Sequence, residues 1–103
     1  MNRGEVWWVA TAHGRRPHLV LSRQAAIPLL SRVLAVPATT NRRGAPSEVD
    51  LDEDDGMPRE CVLSFDDTRL VSKSKFLKRI CSLNAERMTE ACRAMGITTG
   101  CVE

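Results

Sequence analysis

Sustained helical periodicity occurs in only one stretch of this chain, after Leu83, and what precedes it is a series of short apolar runs broken by glycine, proline and polar turns. A chain written this way is restricted to a mainly β domain carrying one C-terminal helix. Gly4 to Ala10, with Val6, Trp7, Trp8 and Val9, reads as the first strand, and His18 to Ser22 as the second, after a short polar loop from Thr11 to Arg15. Residues 23–31 form a connector with a short helix interrupted by Pro28. Arg32 to Thr40 is a long strand, apolar on both faces, in which Pro37 implies a bulge or an edge position. Glu48 to Asp52 alternates with period two, Asp54-Asp55-Gly56 turns the chain, and Cys61 to Phe65 and Phe76 to Cys81 are further strands. Asp66 to Lys75 carries no readable pattern.

For the helix, Asn84 is the cap and Met88, Ala91, Cys92 and Met95 follow the i, i+3, i+4, i+7 spacing of a buried face. Leu83 and Met88 make a hydrophobic staple, and Gly96 is the expected stop. At 103 residues and 43% apolar content the chain supports one modest core, so a single domain over residues 1–103 is expected. No signal-peptide core opens it and no apolar run reaches the ~18 residues of a membrane span, which predicts a cytoplasmic protein without a membrane partner. Cys61, Cys81, Cys92 and Cys101 lack a CxxC spacing or a neighbouring ligand histidine, so free thiols and no metal are expected, with Cys101 the one most open to oxidation.

The net charge of +2 hides a strong polarity. Residues 1–43 hold seven arginines against Glu5 alone, whereas residues 44–69 hold nine acids against Arg59 and Arg69. The acidic run from Glu48 to Asp55 reads as a solvated, turn-rich edge, and the basic half suits a polyanion. Within that half, two segments place cationic and hydroxyl groups at the end of an apolar strand: Arg15-Arg16-Pro17-His18 and Thr39-Thr40-Asn41-Arg42-Arg43. Pro17 holds the preceding residue extended, so the Arg16 side chain leaves a fixed backbone. If the two strand ends are adjacent, they offer guanidinium, hydroxyl and amide donors to phosphate.

The sequence holds no GxSxG, HExxH, Walker or GxGxxG pattern. RNA, however, brings its own nucleophile: a ribose 2′-hydroxyl can attack the adjacent phosphorus if the protein aligns the backbone and stabilises the added charge. His13, in the loop beside Arg15 and Arg16, is either a site residue or a solvated one, and His18, in an apolar strand, reads as packed. Trp7 and Trp8 point to opposite faces, one toward the core and the other toward a base or a subunit interface.

Arg3-Gly4-Glu5-Val6-Trp7, Arg16-Pro17 and Val36-Pro37-Ala38-Thr39-Thr40 together resemble the MazF/PemK toxin family. The resemblance implies an SH3-like β-barrel with a C-terminal helix. It implies a homodimeric endoribonuclease that cleaves single-stranded RNA sequence-specifically, without metal or other cofactor, leaving 2′,3′-cyclic phosphate and 5′-hydroxyl ends. A cognate, MazE-like antitoxin, binding through a disordered C-terminal segment, is the implied inhibitor. Residue by residue, Arg16 and Thr39 are the implied catalytic pair, with Thr40 the lesser partner because consecutive strand residues face opposite sides. Arg16 stays protonated and is assigned to charge stabilisation, with proton transfer left open. His13, Arg15, Thr40, Asn41, Arg42 and Arg43 are the candidate RNA-binding groups, and Asp66 is a third candidate near the phosphate, unless it is only a turn residue. The Thr11 to Arg15 loop is shorter than in many relatives. The alternative is a non-enzymatic inhibitor that binds a protein target, as CcdB-type toxins bind DNA gyrase, and a plain nucleic-acid-binding module is a third reading.

Overall fold

The computed structural model describes residues 1–102. β1 (Glu5–Thr11) and β2 (Gly14–Val20) form a hairpin whose turn is only Ala12 and His13, since Thr11 pairs with Gly14. The second strand therefore starts earlier than the apolar pattern suggests and carries Arg15, Arg16 and Pro17 within it. β3 (Arg32–Thr39) pairs with β2 on one edge. On its other edge it pairs first with β6 (Arg69–Ser72) and then, beyond Val36, with β5 (Cys61–Ser64). β4 (Glu48–Leu51) lies outside β5, and β7 (Phe76–Ser82) lies outside β1. The resulting order is β4-β5-β3-β2-β1-β7 with β6 added to β3. The expected barrel thus stays open, because no ladder among the described residues joins β4 to β7.

Strong bending lets this one sheet bury both faces, which explains why β3 is apolar on each side. Val6, Leu19, Val36, Leu63 and Phe65 pack on one face with Ala91 and Ala94 of the helix, α1 (Ala85–Thr99). Val9, Ala35 and Val71 form one cluster on the opposite face, and Val20, Ile27 and Val33 another. Of the two tryptophans, Trp7 packs half-buried against the Val20, Ile27 and Val33 cluster, and Trp8, also half-buried, points to the other face, as alternation along β1 requires. Trp7 stands edge-on to Phe76 with ring centroids 6.3 Å apart and donates to Glu5.

Asn84 caps α1 as expected, its side chain accepting from the Arg87 N–H at 2.8 Å. Two details of the helix differ. Cys92 is exposed, and Ala94 takes the buried place that the spacing assigned to it. Gly96 does not end the helix; Gly100 does, at φ +78°. Gly96 instead makes room for the returning chain, since a Cβ there would sit 2.6 Å from a Val102 methyl. Pro28 likewise does not interrupt a helix but occupies the first turn of a short 3-10 segment (Ile27–Leu29), where its missing N–H costs nothing. The unreadable stretch after Phe65 folds as two 3-10 turns flanking the four-residue β6.

Part of the acidic run is built into the structure. Asp52 and Asp55 form a capping box around a 3-10 turn (Glu53–Asp55) that closes with Gly56. Asp55 is also ion-paired to Arg87 of α1 at 3.0 Å. Burial opposes ionisation of Asp55, but the Arg87 guanidinium and the Asp52 N–H outweigh it and hold the carboxyl below its ordinary range.

Candidate active site

The β2–β3 ladder ends at His18 opposite Pro37. Neither Pro17 nor Pro37 can donate to it, and at Pro37 the far edge of β3 is also changing partners from β6 to β5. Continued two residues past this break, the register sets Arg16 opposite Thr39 on one face of the sheet. Both side chains line a cavity of about 300 Å³ together with Asn41 and Arg43. The two strand ends that sequence could only suppose adjacent are therefore brought together.

Thr39 Oγ1 accepts the Asn41 N–H at 3.1 Å, which fixes the hydroxyl oxygen and leaves its proton free to donate into the cavity. Thr40 faces the other way, as alternation requires, and lines a second cavity. Arg16 stands just past the end of the β2–β3 ladder and borders both cavities.

Three residues of the first cavity were not singled out from sequence: Ser64, Asp67 and Arg69. Asp67 Oδ2 accepts from the Ser64 hydroxyl at 2.7 Å and from Arg43 at 2.8 Å, and Arg43 also donates to Ser64 Oγ at 3.0 Å. The Ser64 bond, together with Arg43 and against a smaller desolvation cost, holds the Asp67 carboxyl below its ordinary range. At its backbone, Arg43 is gripped by Glu48, whose carboxylate accepts the N–H groups of Arg43 and Gly44. Arg43 is thus held at both ends, and the cavity presents three guanidiniums around one carboxylate.

Asp66 lies elsewhere. Its carboxylate accepts from Ser47 and Thr98, both at 2.8 Å, and so ties the turn after β5 to α1 rather than lining the cavity. Those two bonds lower its pKa. Adjacent positions of a 3-10 turn diverge by about 120° around its axis, and so Asp67, not its neighbour, reaches the cavity. Arg42 is turned to Asp50 in an exposed ion pair. His13 is exposed at the hairpin tip and Arg15 is exposed on β2, and neither lines either cavity. His18 is packed as expected, 1% exposed, with Nδ1–H donating to the Arg16 carbonyl at 3.1 Å. Burial pushes its pKa down; the bond to the Arg16 carbonyl works against this, and the Arg69 and Arg16 charges add to it.

A cluster of guanidiniums, one of them anchored, with a free hydroxyl proton is suited to a phosphodiester: the cations neutralise it, and the hydroxyl adds a directional donor. Comparison with known proteins agrees with this chemistry. Residues 2–98 match the family model for the PemK-like, MazF-like toxin of type II toxin–antitoxin systems. Over 102 residues, 98% of this chain and 100% of the relative, the sequence is 38% identical to the probable endoribonuclease MazF2 of Mycobacterium tuberculosis. It is 44% identical over 101 residues to the probable endoribonuclease MazF5 of the same organism, covering 96% and 93% of the two chains. Among solved structures, the Mycobacterium tuberculosis toxin MazF-mt6 superposes with a TM-score of 0.84 at 28% identity, covering 95% of this chain and 98% of that one. The MazE–MazF structure from Deinococcus radiodurans gives 0.83 at 28% identity, covering 97% and 95%.

Proposed function

The chain belongs to the PemK-like, MazF-like toxins of type II toxin–antitoxin systems and is an endoribonuclease, and we propose that it cuts single-stranded RNA at the cavity between the ends of β2 and β3. The observation that carries this assignment is the convergence of Arg16 and Thr39 on one cavity, with Arg43 anchored beside them. In the reaction the ribose 2′-oxygen bonds to the adjacent phosphorus and the P–O5′ bond breaks. The hydroxyl proton is lost and the departing 5′-oxygen gains one, leaving a 2′,3′-cyclic phosphate and a 5′-hydroxyl.

The negative charge that builds on the non-bridging oxygens is met by the Arg16 guanidinium and the Thr39 hydroxyl. Arg43 and Arg69 neutralise the flanking backbone. His18 is buried and bonded to the Arg16 carbonyl, and it positions the Arg16 backbone rather than exchanging protons with substrate.

A cytoplasmic homodimer held inactive by a MazE-like antitoxin completes the reading. Leu29 and Leu77 are 86% and 54% exposed, apolar surface of the kind a second subunit covers. Among the described residues no helix is long and apolar enough to cross a membrane. The gyrase-binding alternative is disfavoured because relatives spanning the whole chain carry endoribonuclease names. To test the proposal, the protein is incubated with a long single-stranded RNA in EDTA and the new 5′ ends are mapped. Discrete cuts with 5′-hydroxyl ends that vanish in Arg16→Ala support it. Intact RNA from the wild-type protein, or unchanged cutting by folded Arg16→Ala, rejects it.

A further inference from the structure

The second cavity bordering Arg16, about 340 Å³, differs in kind from the first. Its walls are mainly apolar: the Trp8 indole, Pro17, Ala38, Met57 and Pro58. Trp8 and Pro17 are cross-strand partners in the β1–β2 ladder and so present one continuous face. The Arg15 guanidinium carbon stands 4.8 Å from the Trp8 ring centroid, yet Arg15 does not line the cavity. It therefore steadies the indole from outside and leaves the cavity side of the ring clear. A steadied aromatic face in an apolar slot, beside a cluster that grips phosphate, matches what a single unstacked nucleobase requires.

The polar side chains of the slot select among bases. They are Arg16, Thr40 and Arg59, and no carboxylate or carboxamide lines it. Arg59 is exposed and makes no hydrogen bond or ion pair among the described residues, so its fork of N–H donors is uncommitted. Guanidiniums only donate, and the Thr40 hydroxyl is the one side-chain oxygen present. A base edge rich in carbonyl oxygen complements this set, as in guanine (O6 and N7) or uracil (O4), whereas the exocyclic amino groups of adenine and cytosine would face donors.

We infer that this slot is a base-reading subsite that holds one keto-bearing nucleobase, guanine or uracil, next to the scissile phosphate, with Trp8 stacking on it and Arg59 reading its edge. The inference rests on the ribonuclease reading above. The decisive experiment measures binding apart from cleavage. Short 2′-O-methyl oligoribonucleotides, which lack the attacking hydroxyl, are titrated with wild type, Arg59→Lys, Arg59→Ala and Trp8→Ala, the series differing only in the base at one position. Cleavage of unmodified RNA is scored in parallel.

The wild type is expected to bind guanine- or uracil-bearing strands about tenfold more tightly than their adenine or cytosine counterparts at one position. Arg59→Lys keeps the charge but loses the fork, and it should flatten this preference while retaining most of the affinity for the backbone. Trp8→Ala should weaken all four strands. Binding without base preference, a preference for adenine or cytosine, or a preference that survives in both Arg59 variants overturns the subsite even if RNA is cleaved. Failure of the wild type to bind or cut any strand overturns the ribonuclease reading and the subsite together.

Discussion

Replacing Thr39 by Val removes one hydroxyl from the cavity and leaves shape almost unchanged, so its effect isolates a single donor. In the structure that oxygen accepts only the Asn41 N–H, at 3.1 Å, from an exposed residue. Water can take over that N–H, and the loss of stability should stay below about 1 kcal/mol. The hydroxyl proton, in contrast, is directed to a phosphate whose charge grows only in the transition state. Removing one such preorganised donor costs about 2.7–4 kcal/mol, or roughly 100- to 1,000-fold in rate. The assay is single-turnover cleavage of one RNA with excess enzyme, alongside thermal melting of each variant. Thr39→Ser restores the hydroxyl and should recover most of the rate. Thr39→Val cleaving within a few-fold of wild type with unchanged melting would refute the donor assignment, and Thr39→Ser as slow as Thr39→Val would show that the methyl group, not the hydroxyl, matters.

Asp67→Asn removes the charge that holds Arg43 beside Ser64 and so loosens a contact to the flanking backbone, and KM should rise several-fold with little change in kcat, read from initial rates at saturating and limiting RNA. Arg87→Ala strands Asp55, whose side chain is 8% exposed, and should lower stability by about 2 kcal/mol in urea unfolding. Arg42→Ala breaks only an exposed pair with Asp50, so its urea midpoint should barely move, within about 0.5 kcal/mol. His18 titrates below its ordinary value of 6.5 in the folded chain. The unfolded chain therefore binds a proton that the native chain does not, and stability should fall as pH drops through 6.5 toward the depressed value. That part of the slope should be absent from His18→Gln, whatever its absolute stability.

The strands and the helix were legible because their signals are local. The β-branched and aromatic run from Val6 to Val9, the period-two pattern of Glu48–Leu51 and the Asn84 cap each act within a few residues through backbone sterics and near-neighbour hydrogen bonds. β6 was not legible, because four residues between two 3-10 turns are too few for a period to register and their pairing is supplied by β3. The end of the helix was misplaced for a different reason: two glycines four residues apart compete for the stop, and Gly100 takes the left-handed position while Gly96 receives the Cys101 N–H and makes room for Val102.

By itself, the sequence determined which residue types were available to the site, that Thr39 lies on the third strand and that Arg16 stands beside the second. Only the tertiary structure decided that these two face one cavity, that Asp67 rather than Asp66 joins them, and that Arg43 is held there while Arg42 turns to Asp50. The difference is physical. Conformational preference is set by atoms a few bonds apart, whereas a cavity is lined by residues tens of positions apart, brought together by the register of β2 and β5 on either side of β3.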